Sequence, residues 1–66
     1  MDKEEMIKEY GIEIAIEKIA QMITEVTEQY KKTREENLKE QLLNLIKDRD
    51  RVYNNDKDII RKYCEK

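Results

Sequence analysis

Histidine, proline, tryptophan and phenylalanine are absent from this 66-residue sequence, and glycine and cysteine occur once each. A single cysteine excludes a disulfide within the chain. The absence of histidine removes the commonest ligand of a structural zinc site. The longest uninterrupted apolar run is Ile14-Ala15-Ile16, whereas a transmembrane helix needs about 20 apolar residues. We therefore expect no disulfide, metal, other cofactor or membrane span.

The same absences argue against catalysis. The sequence has no histidine, no glycine-rich phosphate-binding loop and no recognisable nucleophile with its base. Cys64 has three conceivable roles, as a nucleophile, a metal ligand or a link between chains. Only Arg61, Lys62 and Lys66 lie near it in sequence to lower its pKa. We interpret Cys64 as a small apolar residue, and we expect that the protein is not an enzyme.

What the sequence contains is typical of helices. Charged residues make up 45% of it and hydrophobic residues 38%, too apolar a mixture for a disordered chain. Turn-forming glycine and proline are nearly missing, which argues against a β-rich fold. The start, Met1 to Glu5, is acidic and unlike a secretory signal. With one free thiol as well, we expect a cytoplasmic location. The abundance of Lys, Ile, Asn and Glu is typical of AT-rich bacterial genomes.

The first half of the chain carries a regular apolar stripe. Acidic residues at its start suit the first turn of a helix, and apolar residues then recur at alternating steps of four and three. These residues are Ile12, Ile16, Ile19, Ile23, Val26 and Tyr30. The pattern resembles a coiled coil and predicts a helix over about 3–31. Residues 12–17 also alternate with period two, but a single strand has no partner here. Gly11 indicates a kink or close packing.

A second amphipathic segment predicts a helix over about 34–52. Its apolar residues include Leu38, Leu42, Leu45 and Ile46. The spacing of Thr33 and Glu36 fits a capping box at a helix start, and Lys31 and Lys32 suit a helix end. The two apolar stripes differ in direction by about a third of a turn. These features favour an antiparallel hairpin over one bent, continuous helix through 31–37.

A short third helix is predicted over about 56–65. Tyr53, Asn54 and Asn55 form the strongest break in the sequence, because asparagine favours turns and helix caps. With Asn55 as N-cap, Asp58 falls at the third helical position, which again fits a capping box. The predicted fold is therefore all-α, a single domain over 1–66 made of a helical hairpin and a third helix.

We expect this hairpin to pair with a second copy. A chain of this size buries only about 60% of the surface that it exposes when unfolded, and small folds usually add a further stabilising device. Self-association is the remaining means of stabilising this fold, and we favour a dimeric helical bundle over a tetramer. The predicted oligomer core is Ile12, Ile16, Ile19, Ile23, Val26, Tyr30, Leu38, Leu42, Leu45 and Ile46.

Charge is divided between the two halves. Residues 1–29 carry eight acidic and three basic residues, whereas residues 30–66 carry eight acidic and eleven basic ones. The two candidate partner surfaces are an acidic ridge of Glu5, Glu9, Glu13 and Glu17, and a basic set of Lys31, Lys32, Arg34, Arg61 and Lys62. A solvated face is the plainer interpretation of the acidic ridge. Signs alternate from Lys47 to Arg51, which suits ion pairs better than phosphate binding.

These observations predict a non-enzymatic helical interaction or regulatory protein. We expect it to self-associate, most simply as a homodimer, and to bind a protein partner whose identity the sequence does not indicate. A helix placed in another protein's groove would act by occlusion. The alternative is a small nucleic-acid-associated protein that uses the basic residues of its C-terminal half.

Overall fold

The computed structural model describes residues 2–65, which form three α-helices and no strand. α1 spans Lys3–Thr33, α2 spans Glu36–Tyr53 and α3 spans Lys57–Cys64. α2 folds back along α1, and α3 packs on both helices. The all-helical prediction is confirmed for the described residues. The strand interpretation of residues 12–17 is wrong, because they lie inside α1.

α1 begins as the acidic start of the chain predicts. The Asp2 side chain caps the helix, and its Oδ1 accepts a hydrogen bond of 2.8 Å from the backbone N–H of Glu5. Glu4 and Glu5 occupy the first turn, where their negative charge is favoured by the helix dipole.

The chain reverses at Arg34 and Glu35, so the continuous-helix alternative is wrong. Arg34 adopts the left-handed conformation, with φ of 58°, and its N–H donates to the carbonyl of Tyr30 over 2.8 Å. This geometry closes a helix C-terminus, usually with glycine. The capping box predicted at Thr33 is wrong. Thr33 is the last residue of α1, and Glu35 precedes α2 without a side-chain cap.

The N-cap of α3 lies one residue after the predicted one. Asn55 lies in the turn with φ of 62°, and asparagine tolerates this conformation better than most residues. Asp56 is the N-cap, and its Oδ1 accepts from the N–H groups of Asp58 and Ile59. Its other oxygen, Oδ2, lies 2.8 Å from a guanidinium nitrogen of Arg51. The assignment of Asn55 as N-cap is therefore wrong.

The core lies where α3 crosses the hairpin. Ile19 and Val52 are fully buried there, and the other members of the cluster are Ala15, Leu45, Ile59, Ile60, Tyr63 and Cys64. Gly11 is also buried. A Cβ atom at Gly11 would lie 2.8 Å from Cγ2 of Ile60. Of the two roles expected for Gly11, the structure supports close packing, here between α1 and α3.

Candidate interaction surfaces

The predicted oligomer core divides into buried and accessible residues. Ile19, Leu38 and Leu45 are buried within one chain, so they hold the hairpin together. The other predicted residues keep part of their surface accessible: Ile12, Ile16, Ile23, Val26, Tyr30, Leu42 and Ile46. The sequence stripe therefore combines an internal core with a surface component.

α3 covers one side of the hairpin. The thiol of Cys64 donates to the carbonyl of Gly11 over 3.5 Å. The ammonium of Lys18 donates to the carbonyl of Tyr63 over 2.9 Å. The hydroxyl of Tyr63 donates to Asp48 of α2 over 2.6 Å. These contacts place α3 on the side of α1 that carries Gly11 and Lys18, and on the side of α2 that carries Asp48.

Between Ile16 and Ile23, the opposite side of α1 carries accessible aliphatic residues. A residue advances about 100° around a helix, so Ile16, Ala20 and Ile23 lie about 40–100° from the buried Ile19 in one sense. Gly11 and Lys18 lie about 80–100° from Ile19 in the other sense. Ile16 and Ile23 are half-buried and Ala20 is exposed. α1 therefore has an accessible aliphatic strip directed away from α3.

α2 continues this strip. Leu42 and Ile46 lie about 60–100° from the buried Leu45, on the side opposite Asp48. Both are half-buried. In an antiparallel pair of helices these directions point to the same side of the hairpin as the strip on α1. We call the surface formed by Ile16, Ala20, Ile23, Leu42 and Ile46 the open face.

Two exposed side chains adjoin the open face near the end of α2. Ile12 is 39% exposed and Tyr53 is 64% exposed. The sequence alone places Tyr53 at a helix break. The helical wheel of α2 places Tyr53 on the side of Leu42 and Ile46. The sequence does not indicate which side of the hairpin α3 covers, and so does not indicate that this side is accessible.

The acidic residues do not form a single straight ridge. Residues four apart rotate by about 40° on a helix, so the series from Glu5 to Glu17 spans about 120°. All four are exposed. Glu5, Glu9 and Glu13 line a groove of about 740 Å³ between α1 and the start of α3. The other lining residues are Glu4, Ile7, Lys8, Ile12, Asn55, Lys57, Ile60 and Arg61.

Arg61 is committed to contacts within the chain. Its guanidinium donates to both carboxylate oxygens of Glu4, over 2.8 and 3.0 Å, and also contacts Glu65 at 3.1 Å. The hydrogen bond and charge of Arg61 lower the pKa of Glu4, and the two carboxylates raise the pKa of Arg61. All three side chains face solvent, so this cluster adds little to stability.

The predicted basic residues are spread along the molecule, and Lys62 lines a groove beside Met22 and Val26. Arg34 lies at the turn beside Lys31 and Lys32, with its guanidinium 5.7 Å from the ring centre of Tyr30. Arg61 lies beside Glu4 near the start of α1. Glu4 and Tyr30 are 26 helical residues apart, which corresponds to about 39 Å along α1. Within one chain these residues therefore do not form a continuous basic surface.

The environment of Cys64 is that of a packed thiol. It is buried, and burial raises its pKa, with the charge of Lys18 opposing this effect. A raised pKa reduces the fraction of reactive thiolate. Among residues 2–65, acidic and cysteine side chains form no group of three that could hold a metal ion. Over the same residues, no helix combines the length and the apolarity of a bilayer-spanning segment.

Comparison of the chain with protein-family models, with curated proteins and with solved structures gives no match. A functional proposal therefore depends on the surfaces that the fold presents, and the open face is an apolar one to which both α1 and α2 contribute.

Proposed function

We propose that this chain is a non-enzymatic helical interaction protein that self-associates through the open face and binds a protein partner. The observation that supports the proposal is the asymmetry of the hairpin, with α3 packed on one side and accessible aliphatic residues on the other. An amphipathic helix pair gains stability when its second apolar side is also covered. A second copy of the same chain provides such a cover and produces a dimeric helical bundle.

From the size of the open face we expect a reversible dimer. α2 has 18 residues, which gives a length of about 27 Å, and two helices side by side are about 20 Å wide. The projected area is therefore on the order of 500 Å² per chain, below the roughly 800 Å² of a standard interface. We expect a dissociation constant in the micromolar range.

A matched pair of substitutions on α2 tests the proposal. Ile46→Asp places a charge on the open face, whereas Leu43→Asp places one on the outer side of α2, about 160° from Leu45. Leu43 is the more exposed of the two, at 51%. We expect Ile46→Asp to be a helical monomer and Leu43→Asp to keep the dimeric mass. Light scattering coupled to size exclusion, with circular dichroism on the same samples, gives both readouts.

The proposal fails if the unaltered chain is monomeric up to about 0.5 mM, well above the micromolar range expected here. It also fails if Ile46→Asp keeps the dimeric mass while remaining helical. Loss of helicity in Ile46→Asp would require the milder Ile46→Ser, which is expected to weaken association while preserving the circular dichroism spectrum.

The remaining surfaces carry the partner-binding part of the proposal. The partner would be a cytoplasmic protein, since the chain has one thiol and no disulfide. It would be held by the outer surface of the dimer and inactivated by occlusion, with no chemical step. Glu17→Lys, on the outer side of α1 about 160° from Ile19, should weaken the binding of a basic partner.

Direct nucleic-acid binding has less support. Arg61 lies at the opposite end of α1 from Lys31, Lys32 and Arg34, and it is paired with Glu4 and Glu65. Lys62 lies between these ends, beside Met22 and Val26. We expect no mobility shift with DNA or RNA at low salt. A shift with a steep salt dependence would favour the nucleic-acid alternative.

A further inference from the structure

We propose that the two copies pair with α1 antiparallel to α1 of the partner, around a two-fold axis at Ala20. This inference rests on the proposed self-association. It adds the geometry of the dimer and the charges that favour the antiparallel orientation. The occupant of the open face is then a second copy of this chain, held in one register by charges at the two ends of α1.

Ala20 is suited to the crossing point. It lies about 100° from Ile19, in the middle of the uncovered side of α1, and it is exposed. Its side chain is a single methyl group, and small residues let two helices approach closely. The aliphatic Ile16 and Ile23 lie on either side of it along the helix. An axis at Ala20 therefore brings the apolar strips of the two copies together.

The charges on the same side of α1 favour the antiparallel orientation. Glu9 lies about 80° and Lys31 about 120° from Ile19, on either side of the direction of Ala20. Each is 11 residues from Ala20, which corresponds to about 16 Å along the helix. An antiparallel pair centred on Ala20 therefore places Glu9 of one copy opposite Lys31 of the other. A parallel pair would place Glu9 against Glu9 and Lys31 against Lys31.

Both side chains are free for this contact. Glu9 and Lys31 are exposed, and within residues 2–65 neither forms an ion pair. Glu13 lies one turn from Glu9 on the wall of the same groove, so the lysine of the second copy would meet two carboxylates. Because the contact occurs twice in a symmetric dimer, its effect on orientation is doubled.

Charge exchange tests this register. Glu9→Lys and Lys31→Glu should each weaken the dimer about tenfold, because two attractive contacts become repulsive. The double variant Glu9→Lys/Lys31→Glu restores opposite charges and should recover most of the lost affinity. The measurement is sedimentation equilibrium at low salt, with Glu28→Lys, on the outer side of α1, as the matched control.

A cross-link tests the position of the axis independently. In a Cys64→Ser background, Ala20→Cys places two thiols together at the axis, within the Cα separation of about 4.4–6.8 Å that a disulfide requires. Oxidation with copper phenanthroline should give a covalent dimer. Gln21→Cys points about 100° further around the helix and should remain monomeric on a non-reducing gel.

The results separate this inference from the proposed function. A dimer of the unaltered chain, with no recovery in the double charge variant, or with no cross-link at Ala20, overturns the antiparallel register alone. A monomeric unaltered chain overturns both proposals. Recovery in the double variant together with the Ala20 cross-link supports the inference.

Discussion

Gly11→Ala is the substitution whose effect depends most directly on the packing of α3. Gly11 lies inside α1 with an ordinary helical backbone, where alanine is favoured over glycine by about 1 kcal/mol. The alanine Cβ would, however, lie 2.8 Å from Cγ2 of the buried Ile60. Ile60 is branched at Cβ and is restricted to few rotamers, so relief requires a shift of α3.

The two effects have opposite signs. Forcing an extra methyl group into a packed core costs about 1–3 kcal/mol, against the gain of about 1 kcal/mol in helix propensity. We expect Gly11→Ala to destabilise the protein by about 1 kcal/mol and to lower Tm by about 4–8 °C. The assay is thermal unfolding followed by circular dichroism, at one protein concentration because association stabilises the folded chain.

The background Ile60→Ala supplies the control. It removes the methyl group that the new Cβ would meet, so only the helix-propensity effect remains. Gly11→Ala should then stabilise this variant by about 1 kcal/mol. The sign of the effect therefore reverses between the two backgrounds. If Gly11→Ala stabilises both backgrounds equally, the contact between Gly11 and Ile60 does not exist and the placement of α3 is wrong.

Three further outcomes are expected. Arg34→Gly should raise the free energy of unfolding by about 0.5–1 kcal/mol, because glycine adopts the left-handed conformation at no cost and this gain exceeds the loss of the contact with Tyr30. Glu35→Gly, at a position with an extended backbone, should not stabilise the protein, and chemical denaturation of both variants measures the difference. The hydrogen bond from Arg51 lowers the pKa of Asp56 below 3.8, so the stabilisation from this contact should be present above that pH and be lost on further acidification. Acid titration followed by circular dichroism should show a smaller loss of stability in Asp56→Asn than in the unaltered chain, and equal losses would contradict the contact. Burial and the bond to Asp48 raise the pKa of Tyr63 from 10.0 to about 12, so stability should fall as the pH rises between these values, and Tyr63→Phe should lack the tyrosinate absorbance step near pH 12.

The helices were predictable because the relevant signals are local. The stripe from Ile12 to Tyr30 repeats at helical spacing, and Asp2 precedes two acidic residues that suit a helix start. α1 nevertheless ends two residues beyond the predicted position, and α2 begins two residues later than predicted. The cap at Arg34 has no sequence signal, since arginine is not a residue that favours φ of 58°.

The start of α3 shows why neighbouring cap candidates are hard to separate. Asn55 and Asp56 both favour caps and turns. The choice depends on Arg51, whose guanidinium contacts Asp56 across the turn, and on the need for a positive φ at Asn55. The contact with Arg51 and the backbone conformation of Asn55 cannot be predicted from the spacing of residues in the sequence.

The open face was predictable only in part. Ile16, Ile23, Leu42 and Ile46 were all predicted to join an oligomer core, together with residues that the single chain buries. Which side of the stripe is covered depends on where α3 crosses α1, and that crossing depends on the contact between Gly11 and Ile60. The sequence marks Gly11 as unusual but does not indicate which residue it meets.

The solution mass of the unaltered chain as a function of concentration tests the central claim most directly. A chain of 8.1 kDa that pairs through the open face should rise from its monomeric mass to twice that value across the micromolar range, as expected for an interface of this size. Sedimentation equilibrium at several loading concentrations measures this rise. A constant mass of 8.1 kDa at every concentration would contradict self-association, and with it the role proposed for the open face.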